Sequence, residues 1–475
     1  MNKKPNILFI VMDSVRARNL SCYGYHRNTT PNLDEFASEG AIFEQAISES
    51  CWTLPVHTSL FTGLYPMNHG VTVSQDDLPD NFPTLARLLN EHGYQTCCIS
   101  NNAYISKGTG LTQGFEEVKD IWRLTHPRGT KRTLMSRIKI KLKKFGKLSE
   151  PLIALMRLLR HGRKILRETK NSEDSGAYVT NESIKKWLTE SWDEERPFFM
   201  FVNYMECHEK YNPPYPYDRK FMPSRFSRWR VLQVNPDKEK ILESSEKKKA
   251  EDLEIMKALY DGELNYLDMR IGELIDYLNS QGILENTVTV ITSDHGDSLG
   301  EHDELGHRRV LYEQLIHVPL LIRYPRVFTP GTHVKEQVQL SDLYPTFLDL
   351  TEVKSEEAPS NGFRGLCDFC NGRKREFTIS ENTAPKSLNS MRSRTIRTDK
   401  YKFIWNSNGM HELYDLRQDP NETKNIIRSK PKVAARLQQK LNEWVNEHED
   451  FKVEKCQAVY DSALSERLKV LGYID

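Results

Sequence analysis

Apolar and polar positions fall in blocks along the chain, and the period of the blocks changes. Residues 7–12 form an unbroken apolar run, as a strand buried on both faces requires. Thr30-Pro31 then opens a helix that Gly40 closes, with Thr30 at the N-cap and proline at the first helical position. Residues 84–92 predict a second short helix, stopped by Gly93, and residues 94–100 a strand. Phe198–Tyr204, residues 288–292 and Leu320–Arg323 read as further strands. Between them, residues 252–279 carry Met256, Leu259, Leu264, Leu267, Ile271 and Leu274 near helical spacing, which predicts a long amphipathic helix. Continuous apolar strands alternating with helices imply an α/β fold: a large, mostly parallel sheet flanked by helices on both faces.

Two stretches break the pattern. Residues 128–170 hold fifteen Lys or Arg against two acidic residues, Glu150 and Glu168, with an apolar side at Leu152, Ile153, Leu155 and Met156. Such a basic helical insertion fits either a lid meeting an anionic substrate or a membrane surface, or a solvated insertion resting on the core. Residues 351–375 turn polar and irregular. Beyond them, 377–380, 402–405 and 412–416 read as strands and 432–447 as a helix. The expected division is a catalytic domain over 1–355, containing the 128–170 insertion, and a small α+β C-terminal subdomain over 376–475. A chain of 475 residues is long enough for two such cores.

Composition narrows the function. A net charge of +1 gives no global field for nucleic acid, so no nucleic-acid partner is expected. The apolar run 7–12 is too short to span a bilayer or serve as a signal peptide, and the expected location is the cytoplasm. Eight sparse cysteines do not make a disulfide scaffold. Cys367-x-x-Cys370 is a lone pair, readable as a metal or redox site or as two small apolar residues.

In open α/β sheets ligands gather at the carboxyl ends of strands. Asp13 ends the first strand, Ser293-Asp294-His295-Gly296-Asp297 follows another, and Glu206, Cys207 and His208 follow a third. Asp13, Asp294 and His295 together offer two carboxylates and an imidazole to a divalent cation. Taken singly, an aspartate after a strand can be a helix cap or a turn. Thr53, two residues before Pro55, fits an N-cap, where free N–H groups favour negative charge. A metal beside its hydroxyl would make it a nucleophile; without one it is a plain cap.

These segments together resemble the sulfatase family of the alkaline-phosphatase superfamily. The resemblance runs through Pro5 to Asp13, Thr30-Pro31-Asn32-Leu33, Trp52-Thr53-Leu54-Pro55, Leu60-Phe61-Thr62-Gly63, Thr292 to Gly296, Gly300-Glu301-His302 and His317-Val318-Pro319-Leu320. Glu412 to Leu416 and Asp419-Pro420-Asn421-Glu422 resemble the family's C-terminal part. The resemblance implies an alkaline-phosphatase-like fold and one divalent metal, Ca²⁺ first and Mn²⁺ or Mg²⁺ next, held by Asp13, Asp294, His295 and Thr53. It also implies catalytic roles for Thr53, His307 and His208, and substrate contact for His57 and Asn102. Tyr104 is placed beside Asn102, and Arg219 and Lys220 read either as substrate contacts or as surface charge. The implied substrate is an anionic sulfate or phosphate ester, a saccharide among the candidates.

Two departures qualify this. Sulfatases build formylglycine from Cys or Ser in a Cys-x-Pro-x-Arg pattern, but Thr53 and His57 stand at the first and last positions here, and Pro55 lies four residues after Cys51. No formylglycine is expected. Ser14 stands where many sulfatases carry another metal-binding Asp. A threonine nucleophile resembles phosphate-transferring relatives such as phosphoethanolamine transferases and lipoteichoic-acid synthase. The alternatives are therefore a phosphoryl or phosphodiester transferase acting on a glycan or lipid, and a catalytically silent binding protein.

Overall fold

The computed structural model describes residues 4–72, 76–80, 82–125, 174–232, 234, 241, 244–307, 310–356, 358, 362–382, 391–449, 456–457 and 460–470. The basic insertion at 128–170 lies outside the described residues.

Nine strands form the large sheet. They are β1 (Asn6–Met12), β2 (Ala41–Ile47), β3 (Gln95–Ser100), β4 (Glu117–Asp120), β5 (Phe198–Tyr204), β6 (Thr287–Thr292), β7 (His317–Val318), β8 (Leu320–Arg323) and β9 (Thr332–Gln339). Their order is β7-β2-β8-β6-β1-β5-β3-β4, with β9 on β2. The strands β6, β1, β5, β3 and β4 run parallel, and β9 is parallel to β2. The predicted strand at Leu320–Arg323 is the exception, because β8 lies antiparallel to both β6 and β2.

Alternate residues of β1 enter two cores. Ile7, Phe9 and Val11 pack on one face with α2 (Thr53–Thr62), α3 (Leu85–Glu91) and α6 (Leu343–Leu350). Leu8, Ile10 and Met12 pack on the other with α1 (Pro31–Ser38), α4 (Ala177–Glu190) and α5 (Glu246–Ser280). Each of these side chains is fully or nearly fully buried, and burying one contributes about 1.5–3 kcal/mol. That is the physical reason the strands read as continuous apolar runs.

A second, antiparallel sheet follows in the order β10 (Thr378–Asn382), β11 (Ser393–Arg397), β12 (Tyr401–Asn406), β13 (Glu412–Asp415), and α7 (Pro431–His448) packs on it. It is pinned to the large sheet by buried polar groups. Glu381 N donates to the Glu49 carbonyl at 2.8 Å. Lys402, with no exposure, sits between Glu313 at 3.2 Å and Glu422 at 2.8 Å, while Arg397 also reaches Glu313. No helix among the described residues is long and apolar enough to cross a membrane.

Candidate active site

Strand register builds the site. Val11 of β1 pairs with Thr292 of β6 and with Asn203 of β5, and Asn203 pairs with Ser100 of β3. Two residues beyond that row stand Asp13, Asp294 and Asn102. The sheet therefore carries three polar side chains to one edge, as ligand-binding α/β sheets do.

They meet there. A carboxylate oxygen of Asp13, one of Asp294 and a ring nitrogen of His295 all lie within 4.8 Å of one another. His295 Nε2 is 3.4 Å from Asp294 Oδ2 and 4.0 Å from Asp13 Oδ1. Ligands around one cation at bond lengths of about 2.0–2.6 Å have such spacings. The donor set fits in detail. His295 Nδ1 donates to the Gly296 carbonyl at 2.8 Å, so Nε2 keeps its lone pair toward the carboxylates. Asp294 Oδ1 accepts from the backbone N–H of Ser14 and of His295, while its Oδ2 is buried with no hydrogen-bond partner. Burial, and then the Asp294 charge, push the Asp13 carboxyl above its ordinary range. Two buried carboxylates and an orphaned oxygen are what a cation site looks like to its ligands.

Asn102 donates to Asp13 Oδ2 at 2.7 Å and accepts from Tyr104 N at 2.9 Å. Both ends of its amide are thus engaged in orienting Asp13. Ser14 has a left-handed backbone (φ +63°) and donates from Oγ to Asp13 Oδ1 at 2.8 Å. Gly296 is required by close approach: a Cβ there would stand 2.0 Å from the Gln314 carbonyl oxygen.

Thr53 is not the helix cap that its sequence context suggests. Trp52 takes the N-cap position in an extended conformation, and Thr53 is the first residue of α2. Its hydroxyl is turned toward the acidic group, with Oγ1 3.4 Å from His295 Nε2. His57, one turn on, donates from Nδ1 to the Thr53 carbonyl at 2.9 Å and lies 3.7 Å from Asp294 Oδ2. Its ring packs edge-on to Phe61 and Phe201, and burial lowers its pKa to about 4, so it is neutral. Its neighbours are thus the Thr53 backbone and a carboxylate. Gly63 ends α2 at φ +64°, against the Tyr344 ring.

Two further histidines cover this group. The His307 ring stands 4.5 Å from that of His295 and 5.1 Å from that of His208. His208 Nδ1 donates to the Glu209 carbonyl, which fixes its ring. His307 Nδ1 is 3.3 Å from Asp297 Oδ1, and Tyr211 donates its hydroxyl to Asp297 Oδ2. Asp297 and Tyr211 were not singled out by role from sequence; they lie 86 positions apart, with no shared local pattern.

Other sequence candidates go elsewhere. Glu206 accepts from the Ala177 and Met205 N–H groups, and burial raises its carboxyl to about 8. Arg219 donates to the Phe226 carbonyl and Lys220 to Asn265. Cys367 and Cys370 lie on a short helix, Leu366–Cys370, outside the one metal-type group found among the described residues.

The sequence profile of the family described as Sulfatase matches residues 5–353, and that described as N-sulphoglucosamine sulphohydrolase, C-terminal, matches 300–449. An arylsulfatase of Clostridium perfringens is 27% identical over 447 residues, covering 90% of this chain and 91% of the relative. An N-acetylglucosamine-6-O-sulfatase of Bacteroides thetaiotaomicron is 26% identical, covering 90% and 83%. Among solved structures, the phosphonate monoester hydrolase of Agrobacterium radiobacter aligns with a TM-score of 0.70 at 21% identity, over 94% of this chain and 96% of that one. A protein solved with its substrate D-glucosamine-2-N,6-O-disulfate aligns equally well, at 0.70 and 21%, over 94% and 99%. At these identities the structural likeness establishes the fold.

Proposed function

The chain belongs to the sulfatase family, whose members hydrolyse sulfuric or phosphoric esters, and on that footing we propose that it is a metal-dependent ester hydrolase with Thr53 as nucleophile. The observation that carries this reading is the convergence of the Thr53 hydroxyl with Asp13, Asp294 and His295. Those three side chains, with Thr53, would hold one divalent ion, Ca²⁺ before Mn²⁺ or Mg²⁺. When bound, it supplies charge to clamp the anionic ester and to acidify the hydroxyl.

The remaining chemistry belongs to the chain. Thr53 gives up its hydroxyl proton to solvent and its Oγ attacks sulfur or phosphorus; the bond to the alcohol oxygen breaks as that oxygen takes up a proton, and water later attacks the same sulfur or phosphorus, releasing the group and returning a proton to threonine. His307 and His208 stand over the same point and transfer protons or stabilise charge on the departing oxygen. Asp297 holds His307 in place, Asn102 orients Asp13, and neutral His57 holds the Thr53 backbone. The substrate class is a sulfate or phosphate ester, with a saccharide ester favoured by the glucosamine-directed relatives.

The test is a panel of aryl sulfates, phosphate monoesters and phosphodiesters with Ca²⁺, Mn²⁺ and Mg²⁺, run on wild type and Thr53→Ala. The variant is expected to stay folded and lose turnover on the order of 10³-fold or more. Wild-type turnover in that variant ends the proposal. Native protein that holds no divalent ion and turns over none of the panel would favour a silent binding protein instead.

A further inference from the structure

A cleft of about 800 Å³ opens in the C-terminal part of the molecule, between the strand β9, the segment before β10, the β11–β12 turn and α7. It shares no lining residue with the group around Asp13. Seven of its side chains are basic and three acidic. We propose that it is a second binding site, for an anionic, sulfated glycan chain.

Charge distribution is the first argument. On α7, Lys432, Arg436 and Lys440 follow at four-residue steps and line the cleft. Like charges at that spacing repel, so the helix carries this ridge at a cost to its own stability. Lys440 is answered by Glu376, but exposed Lys432, Arg436 and Lys374 have no ion-pair partner among the described residues. Asp399 reaches Arg417 only at 3.9 Å, with both side chains more than 60% exposed. The cleft thus holds cations in excess of its own anions.

Shape is the second argument. The ridge from Lys432 to Lys440 is about 12 Å long, too extended for one small anion. Its floor is partly apolar, with Leu437, Val433 and Tyr401, and Lys400 Nζ sits 5.0 Å from the Tyr401 ring centroid. An aromatic face beside cations suits a sugar ring, whose C–H face is apolar and whose substituents are charged. The choice of a glycan among polyanions rests on the ester-hydrolase reading. Holding the polymer here would raise the local concentration of its esters at the reaction centre.

The experiment titrates the full chain with a sulfated hexasaccharide by calorimetry, for wild type and the double variant Lys432→Glu/Arg436→Glu. Unsulfated hexasaccharide, inorganic sulfate and single-stranded DNA of equal charge are run alongside, and turnover of a small aryl ester is measured in parallel. Expected is binding of the sulfated hexasaccharide that weakens about tenfold or more in the double variant, with unchanged unfolding and aryl-ester turnover. Both substituted residues are exposed, so the fold is retained. Equal affinity in wild type and double variant overturns the site. Equally tight binding of DNA, or of inorganic sulfate, overturns the glycan as its occupant. Absence of aryl-ester turnover in wild type, with hexasaccharide binding intact, would count against the active-site reading and leave the cleft standing.

Discussion

Replacing Asp294 by Asn should separate cation binding at the proposed site from folding. The amide keeps an oxygen for the N–H groups of Ser14 and His295, so the local hydrogen bonds survive. What disappears is one of two buried negative charges whose ligand atoms stand within 4.8 Å. At an effective dielectric near 20, unit charges at that distance repel by about 3.5 kcal/mol. This is an upper figure, because the raised Asp13 pKa lets that carboxyl take up a proton instead. Without divalent ions, Asp294→Asn should therefore be as stable as wild type or more so, by up to about 3.5 kcal/mol. Adding the cation should reverse the order. At a hundredfold excess over its dissociation constant, the ion stabilises wild type by about 2.7 kcal/mol. The variant should gain far less. Thermal unfolding of both proteins, in chelator and across a Ca²⁺, Mn²⁺ and Mg²⁺ series, reads this directly. An equal gain in the two proteins would refute the assignment of Asp294 as a ligand.

Gly296→Ala should destabilise the fold by about 1–3 kcal/mol or more, since its Cβ must displace the Gln314 backbone; chemical denaturation measures it, and wild-type stability would contradict the packing argument. His307→Ala should lower turnover about 10²–10⁴-fold for esters with poor leaving groups and less for activated aryl esters. Asp297→Asn should show the same pattern more weakly, and a uniform loss across leaving groups would speak against proton transfer at His307. Glu206 titrates near 8 in the folded protein against an ordinary value of 4.5, so its contribution is fully present below about pH 4.5 and lost as pH rises toward 8. That amounts to a few kcal/mol. Stability followed from pH 4.5 to 8 should fall less steeply in Glu206→Gln; an unchanged slope would rule Glu206 out as the source.

The elements legible in the sequence are those whose side chains meet hydrocarbon on both sides. β1 and β5 are continuous apolar runs because helices cover both faces of the sheet. β2, β9 and β11 are not legible as apolar runs, since polar residues interrupt each of them: Glu44 and Gln45 in β2, Lys335, Glu336 and Gln337 in β9, and Arg394 and Arg397 in β11. Arg397 of β11, for example, is 4% exposed and bound to Glu313. The long helix starts at Glu246 rather than near 252, because its first turns are charged and carry no apolar stripe. At the site, Asp13, Asp294 and His295 were readable from strand ends. The links from Asn102 to Asp13 and from Asp297 to Tyr211 were not, because a single sequence has no sign for a hydrogen bond between distant segments. Thr53 was misplaced by one helical position for a local reason: an extended tryptophan can precede a helix where a hydroxyl residue is expected.

The pairing of β1 with β6 acts as a ruler. Asp13 and Asp294 are held opposite each other by backbone hydrogen bonds made well before either side chain, along the whole stretch from Asn6↔Thr287 to Val11↔Thr292. A slip of one residue in that ladder would exchange every side chain of one strand between the two cores and carry Asp294 away from Asp13 by roughly 3.3 Å. Misassembled and correctly assembled molecules should therefore differ in cation uptake as sharply as in packing, and the proposed site inherits its tolerance from the sheet rather than from its own side chains.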